Sequence, residues 1–243
     1  FPLPKFNKPF YESNDFIASI SKVTSEIVQG VAPDVKERYI PHAVDSEVFS
    51  KITDKEIISN MDSIREQNDM KGKFVCFWNN RNARRKQSGT LIFWWKKFLD
   101  KVGHDNIADA EGFGLATLES LSCETPIVVN MTGGLQEQVT DGKEWFGIGI
   151  EPSSKAVIGS MSVPYIYEDR VNEDDFVDAM VKMYDMSPKE RAKLGKKGRA
   201  HVTKNYNFDN FKSTWVDTMT EIHEDNGSWE TRKNYNSWES IEL

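Results

Sequence analysis

The chain has 243 residues, 38% of them hydrophobic, with 31 Lys and Arg against 38 Asp and Glu and a formal net charge of −7. The acidic surplus excludes a general nucleic-acid binder, and apolar runs too short to span a bilayer exclude a transmembrane helix. That much apolar sequence, seven Trp among it, supplies a core for one large domain or two small ones. No signal peptide is read at the start, although Phe1-Pro-Leu-Pro lacks Met and reads as the middle of something longer. Cys76 and Cys123 lie in apolar stretches and read as reduced core thiols of a cytoplasmic protein. The four His and two Cys show no metal-ligand spacing.

Residues 1–15 are rich in Pro and Asn and read as a loop. Asp15 to Ser21 predicts a short strand, and Ser21 or Thr24 caps a helix that runs through Val31. Val35 to Ile40 predicts a second short strand, followed by the turn Pro41-His42-Ala43-Val44-Asp45. Residues 51–70 are polar with helical charge spacing and predict a surface helix. Lys73 to Trp78 predicts a buried strand. It runs straight into the basic stretch Asn79 to Gln87, which holds Arg81, Arg84, Arg85 and Lys86, and then a helix from Thr90 to Val102. A strand, a basic loop and a helix in that order present a ligand at the carboxyl end of a parallel strand.

Ala110 to Glu137 carries the chemistry. Leu115, Leu118 and Leu121 recur at helical spacing, so a helix is predicted to begin near Gly114 and end before Pro126. A helix entered through Gly112-Phe113-Gly114 exposes free N–H groups and a positive dipole end, a seat for phosphate. Glu111 is expected in the loop before that helix and Glu119 more than one turn inside it. An ionised carboxylate accepts only, so the natural partners of both are hydroxyls flanking the phosphate. A diphosphate flanked by hydroxyls is a nucleotide sugar. Ile127 to Val129 then predicts a buried strand, with Thr132-Gly133-Gly134 as the following loop.

Beyond the motif, Leu135 to Val139 begins a helix, Trp145 to Ile150 predicts a strand, and residues 151–164 read as irregular. A helix is predicted from Asp169 to Met186. Ser187 with Pro188 caps the next, a basic amphipathic helix over Arg191 to Asn205 whose Lys run reads as a solvated face. Phe208 to His223 predicts the last helix, and Trp229, Tyr235 and Trp238 suggest a tail that docks on a surface.

The order Glu111-Gly-Phe-Gly-Leu-x-x-x-Glu119, Glu124-Thr-Pro-Ile-Val, Thr132-Gly-Gly-Leu-x-Glu137 resembles the donor site of retaining GT-B glycosyltransferases of family 4 (group 1). The resemblance implies an α/β fold, a Rossmann-like parallel sheet flanked by helices. It would be the C-terminal half of a GT-B fold plus a remnant of the N-terminal half. The divisions expected are 1–45 for the remnant and hinge, 46–205 for the nucleotide-sugar domain, and 206–243 for a return helix and tail. The implied roles place Glu111 against the donor sugar and Glu119 on the ribose. Gly112, Phe113, Gly114, Leu115 and Ala116 hold the diphosphate, and Arg81 and Lys86 grip it. The family's important histidine belongs to an earlier loop that this chain lacks, so His42 is set aside as a base. Only 24 residues separate Lys86 from Glu111, too few for the further β–α units the family places there, so a segment is expected to be missing near Asn106 and Ile107. No two Asp are spaced Asp-x-Asp, so no metal or other cofactor is expected. The expected activity is metal-independent, retaining sugar transfer from a nucleotide-sugar donor, with the acceptor unknown. No nucleic-acid partner is expected, and the sequence does not support membrane contact. The alternatives are an inactive nucleotide-sugar-binding fragment or a GT-B sugar-nucleotide epimerase; no local sequence suggests the cofactor lysine of a phosphorylase.

Overall fold

The computed structural model describes residues 4–79, 88–105, 107–112, 116–158, 166–228 and 230–231. In chain order these form α1 (Pro4–Glu12), β1 (Ile17–Ser19), α2 (Lys22–Val31), β2 (Glu37–Tyr39), α3 (Lys55–Gln67) and β3 (Phe74–Asn79). There follow α4 (Ser88–Val102), β4 (Ile107–Gly112), α5 (Ala116–Ser122), β5 (Val128–Asn130), α6 (Leu135–Val139) and β6 (Ile148–Ile150). The last are β7 (Ser154–Ile158), β8 (Ile166–Arg170), α7 (Glu173–Asp185), α8 (Pro188–Asn205) and α9 (Phe208–Asn226). Residues 1–43 with 208–243 form one compact unit, and residues 44–207 form the other.

The first unit is a β–α–β turn with a helix against it. β1 and β2 pair in parallel, Ile17 opposite Glu37, and α2 makes the crossover that parallel strands require. Ser21 opens α2 by accepting the Thr24 amide at 3.2 Å. Val28, Ala32 and Ile40 are buried. Arg38 fixes α9 by donating to the Thr218 hydroxyl at 2.6 Å and to Glu221. Residues 4–12 are helical where the composition predicts a loop. Pro4 sits at the first helical position, where a missing N–H costs nothing. Ser13 Oγ and Asn14 Nδ2 both donate to the Phe10 carbonyl, so side chains satisfy the last turn despite Pro9.

In the second unit β3 and β4 pair in parallel over six residues, from Phe74 opposite Ile107 to Asn79 opposite Gly112. β5 and β6 pair in parallel over Val128–Asn130 and Ile148–Ile150. α7 covers both pairs. Its Val177 and Met180 join a cluster with Phe98 and Ile107, and its Ala179 and Met183 join one with Ile148 and Ile150. Phe74 and Val128 touch both clusters, so the two parallel pairs share one cover. Leu118, Leu121, Ile127, Val129, Val139 and Val202 fill a further core.

Several expectations are corrected here. Glu111 lies in β4, not in a loop, because the whole Ile107–Gly112 stretch pairs in parallel with β3. β3 is only partly buried; Phe77 is 54% exposed. Residues 154–158 are not irregular but pair antiparallel with 166–170, and this takes Asp169 and Arg170 into a strand, so α7 starts at Glu173 with Asn172 as its cap. The passage from α4 to β4 is short, closed by the Ile107 amide on the His104 carbonyl at 3.3 Å. The aromatic tail lies outside the described residues, apart from Glu230 and Thr231.

α8 opens with the expected cap, and a full capping box is present. The Glu190 amide donates to Ser187 Oγ at 3.3 Å, and the Ser187 amide donates to Glu190 Oε2 at 2.7 Å. Those Ser187 hydrogen bonds hold the Glu190 carboxyl below its ordinary range. Ser187→Ala is expected to cost about 1 kcal/mol, read as a lower midpoint in urea denaturation with an unchanged slope.

Candidate functional site

The ends of β3 and β4 lie side by side, with Trp78 opposite Glu111 and Asn79 opposite Gly112. Because the strands are parallel, both open toward the same side, where α/β sheets take ligands. Residues 80–87 follow Asn79, and residues 113–115 follow Gly112. Arg81, Arg84, Arg85 and Lys86, with Phe113, Gly114 and Leu115, lie outside the described residues. The topology thus sets the backbone of Glu111 and Gly112 beside the strand end that leads to the basic stretch.

α5 carries Ala116 as its first residue and Glu119 as its fourth. Glu119 is half-buried and is the fourth residue of α5 as described; the expected helix start near Gly114 lies outside the described residues. The helix has only seven residues, so its neighbours hold it. At its start the Thr117 hydroxyl donates to Gln138 of α6 at 2.5 Å. At its end the Ser122 hydroxyl donates to the Phe49 carbonyl at 2.6 Å. Arg199 of α8 donates to the carbonyls of Ser122, Phe49 (3.2 Å) and Ser46 (3.1 Å). One guanidinium fork therefore ties the end of α5 to the segment entering this unit. Burial pushes the Cys123 thiol up, the Arg199 charge opposes this, and the Glu119 carboxylate adds to it.

α8 approaches α5 closely enough to require glycine at two places. A Cβ on Gly195 would stand 1.9 Å from the Glu124 carbonyl oxygen, and one on Gly198 would stand 2.5 Å from Leu121 Cδ2. Glu124 itself turns through φ 60, and its carboxylate pairs with Lys51 at 3.1 Å.

The loop after β5 leads into α6, which borders α5 through the Thr117–Gln138 bond. Gly133 has φ 50, the left-handed region that favours glycine. Thr132 is fixed by its hydroxyl on Asp169 Oδ2 at 2.5 Å, and Lys155 stands 3.7 Å from Oδ1. Behind α6, His201 Nε2 and the Tyr206 hydroxyl meet the Glu137 carbonyl at 2.9 and 3.1 Å, and His201 stacks on Phe146 at 4.2 Å. His42 is exposed and belongs to the other unit.

Sequence reasoning missed Arg199, Asp169 and the glycine pair. The pair had a signal, Gly195-x-x-Gly198, hidden inside the Lys run; Arg199 and Asp169 had none, because their partners are backbone carbonyls and a distant Thr hydroxyl.

Residues 102–201 match the family of glycosyl transferases group 1. Over these 100 of its 243 residues the chain matches a group 1 glycosyl transferase domain. The matched span includes Glu111, Glu119, the Thr132–Gly134 loop and Arg199, and begins after the basic stretch. Among curated proteins no sequence matches the chain. Among solved structures it is similar to sucrose-phosphate synthase of Thermosynechococcus elongatus, at TM-score 0.63 and 15% identity over 91% of this chain and 61% of that one. It is similar to HepE of Anabaena in complex with UDP-glucose, at TM-score 0.60 and 12% identity over 85% of this chain and 64% of that one. It is also similar to a UDP-forming α,α-trehalose-phosphate synthase of Burkholderia vietnamiensis, at TM-score 0.65 and 8% identity over 90% and 63%. At these identities the likeness shows the fold, the α/β architecture of GT-B glycosyltransferases. The chain spans between 61% and 64% of those three structures. Among the described residues no helix is long and apolar enough to cross a membrane.

Proposed function

We propose that the chain binds a nucleoside diphosphate sugar and transfers the sugar, with retention of anomeric configuration and without a metal, to an acceptor its sequence does not name. The observation that carries this is the register of β3 and β4, which sets Glu111-Gly112 beside the strand end leading to Arg81 and Lys86. In this reading Arg81 and Lys86 neutralise the charge that builds on the leaving diphosphate. The backbone from Gly112 to Ala116 receives the phosphates, Glu111 takes a hydroxyl of the donor sugar, and Glu119 takes the ribose. The absence of any Asp-x-Asp pair from the sequence supports basic residues in place of a metal. No other cofactor is needed. Action in the cytoplasm belongs to the same reading, supported by Cys76 and Cys123 being thiols.

One observation favours a second reading. The direct step from α4 to β4 leaves no room for further β–α units near Asn106, where a segment is expected to be missing, and such units would complete the pocket for the base. A domain shortened there could hold a nucleotide sugar without turning it over. A thermal-shift titration with UDP, GDP, ADP and their sugar conjugates, with and without magnesium, tests the proposal. A metal-independent rise with one nucleotide, lost in Arg81→Ala and Glu119→Ala, is the expected result. At 100 times its Kd a ligand adds about 2.7 kcal/mol, well above detection. No rise with any nucleotide, in a chain that melts cooperatively, would overturn it.

A further inference from the structure

α8 separates charge sharply. It carries five Lys, two Arg and one Glu, six net positive charges, in a chain whose total is −7; everything outside α8 therefore carries −13. The helix also sorts its cations by face. Arg191 and Arg199 turn inward, onto the carbonyls of Tyr184 at 3.0 Å and Ser46 at 3.1 Å. Gly195, Gly198 and Val202 form the buried side. Lys189, Lys193, Lys196 and Lys204 are exposed, with Ala200 and Thr203 among them. At 3.6 residues per turn these lysines, with Lys197 at the edge, fall within about 100° of the circumference and run about 22 Å along the axis.

No carboxylate shares that sector. Lys197 pairs with Glu144 at 3.3 Å at its margin, and Glu190 is engaged by Ser187. Lysines on α1 and α4 behave differently: Lys8, Lys96, Lys97 and Lys101 each pair with a carboxylate. Like charges in a row repel, so the arrangement costs free energy unless something anionic lies along it.

We propose that this face of α8 docks on an anionic lipid surface and so brings the group 1 domain to a membrane-borne acceptor. The row is straight, so several lysines can meet a plane together. Its chemistry is lysine with small residues, a point-charge attraction to headgroups without apolar insertion. Nucleic-acid surfaces more often present arginine forks and stacking aromatics, and here both arginines face inward and no aromatic lies in the row. The acceptor clause rests on the transferase reading; the docking clause does not, and the nucleotide titration reports on the first independently.

The test is sedimentation of the full chain with vesicles of phosphatidylcholine, with and without phosphatidylglycerol. Binding is expected only with phosphatidylglycerol, and is expected to fall between about 50 and 200 mM salt as screening shortens. Each Lys→Gln change at 189, 193 or 196 is expected to lower partitioning about fivefold, and the triple variant about a hundredfold. A charge-matched variant, Lys55→Gln with Lys71→Gln and Lys96→Gln, is expected to bind as the parent does. No binding to phosphatidylglycerol vesicles at low salt, an equal loss in the charge-matched variant, or tighter binding to a single-stranded oligonucleotide at the same salt would each overturn the proposal.

Discussion

Gly195→Ala is expected to lower the stability of the second unit by about 3 kcal/mol, at the upper end of the overpacking range. The added methyl would stand 1.9 Å from the Glu124 carbonyl oxygen, a backbone atom rather than the tip of a flexible side chain. The turn cannot yield cheaply. Glu124 already holds φ 60, its carboxylate is tied to Lys51, and the Ser122 carbonyl two residues before it receives Arg199. Relief must come from α8 moving away, which opens the core around Leu121 and Val202. The midpoint of thermal unfolding should fall by about 6–12 °C. Gly30→Ala serves as the control, because a Cβ at Gly30 meets nothing within 4 Å and the change raises helix propensity in α2. Equal midpoints for the two variants would show that α8 does not approach α5 this closely. Because α5 carries Glu119, a displaced α8 is also expected to weaken nucleotide binding before the fold is lost.

Arg81→Ala is expected to slow sugar transfer about a hundredfold or more, with the fold unchanged. The leaving diphosphate gains charge as the glycosidic bond breaks, and a cation already in place needs no reorganisation at that moment. Arg81 follows the end of β3 by two residues, beside the strand that ends in Glu111-Gly112. An unchanged melting curve with lost turnover would separate this role from a structural one. Arg81→Lys keeps the charge but loses the bidentate fork, and should recover part of the rate. A rate in Arg81→Ala equal to the parent's would remove this residue from the chemistry.

How much of this could be read from sequence depended on whether the signal was local. Ser21 before α2 and Ser187-Pro188 before α8 were legible because a cap is defined within four residues. The strand over Val128–Asn130 was legible from its β-branched run. β4 was not, because the apolar positions of Ala108-Asp-Ala-Glu111 are alanines, with no β-branched or aromatic residue to mark a strand; its pairing with Phe74–Asn79 comes from a strand 33 residues earlier. The β7–β8 hairpin was missed for the same reason: Ser154–Ile158 is mostly exposed and shows no buried face. The Glu111 and Glu119 spacing was plain in the sequence, but the glycines that seat α8 against α5 lay within what looked like a solvated lysine run.

α3 shows what isolation does to a helix. None of its residues is buried, and it is closed by its own residues, Asp54 accepting two amides at one end and the Asn68 side chain donating to the Ile64 carbonyl at the other. Thirteen residues without tertiary burial sit near the limit at which a helix holds together in water. In hydrogen-exchange terms α3 is then its own opening unit, melting and reforming many times while the cores behind Phe98 and Leu121 stay closed. The stretch from Ile52 to β3, which has no buried residue, is thus a tether long enough to absorb insertions without passing strain into the strands that frame Glu111.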